Sequence, residues 1–376
     1  MRRALAGSAT WVVKVGSALL TGEGEGLNLD RIAGWCRQIG ALMASGKRVA
    51  VVSSGAVAEG CRRLGFHERP GTVHDLQAAA AVGQIGLAEA YERGFRDVGR
   101  NTAMVLLTHD DLSSRERYLN ARATLSTLLS LGVAPVVNEN DSVATDEIKL
   151  GDNDTLAGRA ASLLSADALV ILTDRDGLHE DDPAKNPGAR LVVSAAAADP
   201  RLDAMAGDAG RLGRGGMATK LKAARFAALS GSSTVIANGA ETDILLRLAR
   251  GEAVGTLLAA DVAPLDARKR WLAGHLREKG SVQLDAGAVR ALRDGGSILP
   301  VGVTAATGKF RRGDMVRVLA PDGAEVAKGL ANYDAGETRR LLGHNSSEIE
   351  SLLGYVDEPE LIGRDNLVVL AAGSPD

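Results

Sequence analysis

Through residue 258 the apolar positions fall into short continuous runs separated by longer stretches with helical spacing. Six runs predict strands at 11–15, 48–53, 102–107, 134–137, 168–172 and 233–237. The stretches between them predict helices, among them 29–44, 117–131, 156–164 and 218–229. A strand apolar along its whole length is covered on both faces. Such strands alternating with helices predict an α/β three-layer sandwich with a mainly parallel sheet. In sheets of this kind ligands bind beyond the carboxyl ends of the strands, so chemistry is expected just after each one.

The pattern changes after Thr256. Residues 261–270 are charged and contain Pro264, which reads as part of a linker over 261–278. Beyond it the elements shorten. Strands are expected at 282–284, 297–299, 315–319 and 325–329, with glycine-bearing turns at 306–309 and 321–323. This predicts a small β-barrel-like domain over 279–376, following a larger domain over 1–260.

Composition narrows the function classes. The 376 residues are 45% hydrophobic and 24% charged, a soluble globular profile, and a chain this long suits two domains. Aromatics make up only 3%, so the core must be built from Ala, Val and Leu. The net charge of −3 offers no electrostatic reason to expect nucleic acid or a membrane as partner. Cys36 and Cys61 lack metal-ligand spacing and need no disulfide framework, which fits a reducing cytoplasm. Arg2 and Arg3 have no apolar segment behind them, so neither a signal peptide nor a membrane span is expected.

Five strand-end or helix-start motifs carry candidate chemistry. The first strand contains Lys14 and runs into Gly16-Ser17. An ammonium in an apolar strand is costly unless something pairs with it, and glycine lets a backbone approach a bound group. This suits a phosphate site, although an edge lysine before an ordinary turn would read the same. The second strand ends in Ser53-Ser54-Gly55-Ala56, where free N–H groups suit a carboxylate or phosphate and a plain serine cap is the alternative. After the fourth strand come Asn138-Glu139-Asn140-Asp141 and then Gly151-Asp152-Asn153-Asp154. A doubled acidic cluster can hold the ammonium of an amino acid or organise cationic groups. Its spacing is not that of a calcium loop. Thr173-Asp174 follows the fifth strand, either as a nucleotide-binding edge or as part of an Asp-Gly turn. Finally, Arg214-Gly215-Gly216-Met217-Ala218-Thr219-Lys220 opens a helix. Backbone N–H groups with a lysine can cradle phosphate there, but the spacing is not that of a P-loop.

Together and in this order, these blocks resemble the amino-acid-kinase family, and most closely its glutamate 5-kinases. Tyr118-Leu119-Asn120-Ala121-Arg122, Gly255-Thr256 and Arg268-Lys269-Arg270-Trp271 strengthen the resemblance. The C-terminal part is similar to the PUA domain that bacterial members often append. Arg214, where a small or hydroxyl residue is common, and the acidic run 179–182 are departures from the pattern. The resemblance implies transfer of the ATP γ-phosphoryl group to the side-chain carboxylate of glutamate, the first step of proline synthesis. Lys14 and Lys220 would flank the transferred group, with Asp154 holding them. Ser54, Asn138, Asp141 and Asn153 would bind glutamate. Lys14, Gly16, Ser17, Thr173, Asp174 and 214–220 would hold ATP, with Mg²⁺ on its phosphates and no dedicated protein metal site. A homo-oligomer and feedback inhibition by proline are further implications. Kinases of the same fold acting on other acceptors, an RNA-binding protein and a silent regulator remain as alternatives. The segment 279–376 holds 11 Lys/Arg against 14 Asp/Glu, which speaks against RNA as a partner.

Overall fold

The computed structural model describes residues 2–21, 26–143, 153–183, 185–206, 216–260 and 278–370. The chain packs as two units, Met1–Pro264 and Leu265–Asp376. Of the expected linker 261–278, all but Glu278 lies outside the described residues; Glu278 is the first residue of a strand.

The first unit is built on eight strands: β1 Thr10–Val15, β2 Arg48–Val52, β3 Thr102–Leu107, β4 Ala134–Glu139, β5 Ala168–Thr173, β6 Ser194–Ala196, β7 Ser233–Asn238 and β8 Thr256–Ala259. Their order across the sheet is β3-β4-β2-β1-β5-β7-β8-β6. All neighbours are parallel except β7 and β8, so β8 and β6 run against the rest. The six expected strands are present; β1, β4, β5 and β7 run one or two residues longer, and β2 ends one residue earlier, at Val52. The short β6 and β8 lie outside the expected set.

Strand periodicity sorts the core into two layers. Trp11, Val13 and Val15 of β1 join Val49, Val51, Val170 and Leu172 in one apolar cluster. Helices Leu29–Ala44 and Val73–Arg96 cover that face through Ile32, Trp35, Leu87 and Phe95. Val12 joins Ala50, Val52, Leu169 and Ile171 in the other cluster. Helices Arg115–Ser130, Asn153–Leu163 and Met217–Leu229 cover this second face. Lys14 is in phase with Val12, so its side chain leaves β1 on the side of the last two helices.

Small residues let these layers close tightly. A Cβ on Gly158 would lie 2.6 Å from the carbonyl of Ala223, so helices Asn153–Leu163 and Met217–Leu229 meet nearly backbone to backbone. At the start of the other layer, Cβ atoms on Gly60 and Gly83 would lie 1.6 Å from the Ala79 carbonyl and 1.8 Å from the Ala56 carbonyl. Only glycine fits at either crossing.

The second unit holds a five-stranded sheet: β9 Glu278–Leu284, β10 Val303–Gly308, β11 Met315–Leu319, β12 Glu325–Leu330 and β13 Leu367–Val369, in the order β10-β9-β11-β12-β13. Only β9 and β11 pair in parallel. Phe310, Val316 and Leu341 are among the side chains of its own core. Two expectations are corrected here. Residues 297–299 make no strand; Ile298 forms an isolated bridge to Ile362, and Pro300 opens a short 3₁₀ turn that ends the extended run. Residues 306–308 are not a turn but the end of β10, where Gly308 pairs with Gly280. A Cβ on Gly308 would lie 2.6 Å from the Gly280 Cα, an approach that two glycines permit. The turn at 321–323 is present: Gly323 adopts φ +86° between β11 and β12.

Candidate active site

β1 is where the strand order reverses, with β2 on one flank and β5 on the other. Polar residues gather at the carboxyl ends of these strands and of β4, the crevice where open α/β sheets place ligands.

The centre is a buried ionic cluster. Asp154 lies in the first turn of helix Asn153–Leu163 and is 2% exposed. The Lys14 Nζ stands 2.5 Å from its Oδ1, and the Lys220 Nζ 3.1 Å from its Oδ2. Both lysines are 5% exposed. Thr219 Oγ1 adds a hydrogen bond of 2.6 Å to Oδ2. Burial pushes the carboxyl upward, but the two ammonium groups and the hydrogen bonds more than offset this and hold it at about 2. One carboxylate thus organises two cations. Gly16 closes this end of β1. Its N–H donates to the Leu172 carbonyl at 3.1 Å, and a Cβ on it would lie 3.8 Å from the Lys14 ammonium.

A second, neutral network adjoins the first through Asn153. The two hydrogens of its side-chain NH₂ are shared among the Ser53 carbonyl at 2.8 Å, Ser54 Oγ at 2.8 Å and Asn138 Oδ1 at 3.2 Å. Asn138 in turn donates to Gln84 Oε1 at 2.8 Å. Ser53 Oγ bonds the Tyr91 hydroxyl at 3.0 Å. Burial pushes the Tyr91 hydroxyl well above the ordinary tyrosine range, so it stays protonated.

The structure therefore joins Lys14, Asp154, Thr219 and Lys220 directly, and Ser54, Asn138 and Asn153 directly. Asp141 sits half-buried in the turn after β4. Thr173 is buried at the end of β5, with Asp174 exposed beside it and accepting its hydroxyl hydrogen bond at 3.0 Å. Gly216 caps helix Met217–Leu229 without a side-chain bond; Met217 is half-buried, and Ala218, like Ser17, is exposed. Arg214 and Gly215 lie outside the described residues, as do Gly151 and Asp152. Gln84 and Tyr91 belong to none of the five sequence motifs. Both lie on helix Val73–Arg96, seven residues apart and so on one face. One signal was available: between Ala78 and Ala88, Gln84 is the lone polar residue of an Ala- and Gly-rich run.

Comparison with known proteins identifies the family. The family model described as "Amino acid kinase family" matches residues 9–238, and that of the PUA domain matches 280–353. A glutamate 5-kinase of Stutzerimonas stutzeri is 59% identical over 98% of this chain and 100% of its own length. One from Thioalkalivibrio sulfidiphilus is 58% identical over 98% and 99% of the two chains, and one from Variovorax paradoxus 59% over 96% and 95%. On these grounds the chain belongs to the amino acid kinase family, with a PUA domain C-terminal to its kinase fold.

Proposed function

We propose that this chain transfers the γ-phosphoryl group of ATP to the side-chain carboxylate of L-glutamate, yielding L-glutamyl 5-phosphate and ADP, the first step of proline biosynthesis. The observation that carries this reading is the buried Lys14–Asp154–Lys220 cluster beside the Ser54–Asn153–Asn138 network at the switch point of the sheet. The first is suited to a phosphoryl group in transit, the second to an uncharged grip on an amino acid.

A carboxylate oxygen of glutamate attacks the γ-phosphorus, and the bond from that phosphorus to the β–γ bridging oxygen breaks. The acceptor is already ionised at neutral pH, so no proton moves and no general base is needed. Two anions must nevertheless meet. Lys14 and Lys220 neutralise charge on the transferring group, and the catalytic work is placement and electrostatic stabilisation. Asp154 holds both ammonium groups in register. Asn153, Asn138 and Ser54 orient glutamate, with Asp141 as partner for its ammonium. Gly16, Ser17, Thr173, Asp174 and the segment 214–220 hold the nucleotide. Asp154 is committed to two lysines, and among the described residues no cluster of three or more His, Cys, Asp or Glu could hold a metal. This donor set fits an Mg²⁺ held chiefly by phosphate oxygens and water, which would supply further charge neutralisation. Reduced, unpaired Cys36 and Cys61 suit a cytoplasmic enzyme, and we extend the proposal to a homo-oligomer inhibited by proline.

ATP-dependent hydroxamate formation from glutamate and hydroxylamine tests the reaction, with aspartate, acetylglutamate and UMP as competing acceptors. A clear preference for any acceptor other than glutamate would overturn the reading. Asp141→Ala is expected to raise the KM for glutamate about tenfold or more while moving that for ATP little, because it removes the carboxylate assigned to the substrate ammonium. An unchanged glutamate KM would take Asp141 out of the site.

The domains divide the labour in this proposal. Each assigned residue precedes Leu221, and the C-terminal segment is net acidic. A chain ending near Arg270 is expected to keep measurable glutamate kinase activity, and the full chain to bind generic RNA weakly at physiological salt. A folded but inactive truncation, or tight salt-sensitive RNA binding in a titration, would refute these two expectations in turn.

A further inference from the structure

Gln84 lies in the middle of helix Val73–Arg96, outside every motif that follows a strand. Its hydrogen bonding can be deduced outward from a backbone group. The Ser53 carbonyl can only accept, so the Asn153 atom 2.8 Å from it is the NH₂ group. That NH₂ also faces Asn138 at 3.2 Å, so the atom presented there is the Asn138 oxygen. The remaining Asn138 atom is then its NH₂, and the Gln84 atom 2.8 Å away is the amide oxygen. This leaves the Gln84 NH₂ as the outer end of the chain. The nitrogen is buried and has no hydrogen-bond partner among the described residues. Flipping the Gln84, Asn138 or Asn153 amide to relieve this would set like groups against each other elsewhere in the network.

A buried donor without an acceptor is a standing cost that native proteins retain for a reason. The neighbours of Gln84 supply one. Asn138, its direct partner, and Asn153, one step further, are the residues assigned above to the amino-acid substrate. We propose that Gln84 is a specificity-determining residue: its oxygen fixes the donor–acceptor polarity of Asn138, and its free N–H donates to a carboxylate oxygen of the bound amino acid. The step rests on the glutamate reading. It adds a recognition element from a helix that reaches Asn138 of β4 through Gln84 and Ser53 after β2 through Tyr91, and it makes an anionic acceptor the group that completes the network. Hydrogen bonds from a buried donor to an ionised group are among the stronger ones.

Three variants measured by glutamate and ATP kinetics, glutamate calorimetry and thermal melts test this. Gln84→Ala removes both functions. Gln84→Met keeps the length but neither polar atom. Gln84→Glu keeps the acceptor for Asn138 and replaces the free donor with an anion. All three are expected to raise the KM and Kd for glutamate by about 10- to 100-fold. Gln84→Glu should be the weakest binder although it best preserves the contact to Asn138. The KM for ATP should stay within about threefold of wild type. Variants that bind glutamate normally, or that lose affinity for glutamate and ATP alike along with melting temperature, would assign Gln84 a purely structural part. Near-normal glutamate affinity in Gln84→Glu would remove the donor role specifically, and if replacement by Ala or Met prevents folding this isosteric variant decides alone. A wild-type chain with no glutamate kinase activity would instead defeat the underlying reading of the reaction.

Discussion

Replacing Lys14 or Lys220 by alanine is expected to lower kcat by roughly two to four orders of magnitude while leaving the fold intact. Both ammonium groups are almost wholly buried, and both contact the same carboxylate. In such a site water screens little, so each cation acts at close to full strength on charge that develops during transfer. Substrate binding draws on many other groups, so the KM for ATP should move less than kcat. Stability should fall less than in Asp154→Asn, because Asp154 keeps its remaining lysine and is not left as an isolated buried anion. The measurement is steady-state turnover of each single variant with glutamate and ATP, alongside its melting temperature. Near-normal turnover in both would dismiss the two lysines as the charge-neutralising pair, and with them the mechanism.

Lys14 was legible as chemistry because it breaks a rule: a cation inside an otherwise apolar strand demands a partner. The partner itself was less visible. Asp154 lies far along the chain and meets Lys14 only because β1 and helix Asn153–Leu163 share one face of the sheet. The two helices that bring Asp154 to Lys220 approach through Gly158, whose importance depends on which residue it faces. The parallel core was readable since its strands are apolar on both faces. β6, three residues long and partly exposed, carries no comparable signal. In the second unit, Gly308 reads as a turn residue, yet it pairs with Gly280 and the two permit close strand pairing. Gln84 and Tyr91 escaped for a related reason. Their helix is rich in Ala and Gly, so its periodicity is faint, and a single glutamine or tyrosine on a helix is ordinarily a surface or core residue. Only the tertiary placement of Ser53 and Asn138 gives the pair a polar task.

Asp154→Asn is expected to damage both stability and turnover, and stability more than the lysine variants do. Asparagine occupies the same space, but it removes the carboxylate that the two buried ammonium groups share. Breaking a buried ion pair from one side typically costs about 3–5 kcal/mol, which corresponds to a melting temperature lower by on the order of 10 °C in a chain of this size. Turnover should fall as well, since the lysines lose the group that sets their positions. Two controls separate this account from simple misfolding. The first is nucleotide. ATP brings anionic oxygens to the same lysines, so it should raise the melting temperature of the variant more than that of the wild type. The second is pH. Burial opposes ionisation of Asp154, but Lys14, Lys220 and Thr219 prevail and depress it to about 2. A depressed carboxylate stabilises the fold above its unfolded-state value near 4 and loses that contribution as pH falls toward 2. Wild type should therefore lose stability across that window more steeply than Asp154→Asn, which has no proton to bind at this position. Parallel melting curves for the two proteins from neutral pH to acid, or a variant as stable and active as wild type at pH 7, would show that the carboxylate does not hold the lysines.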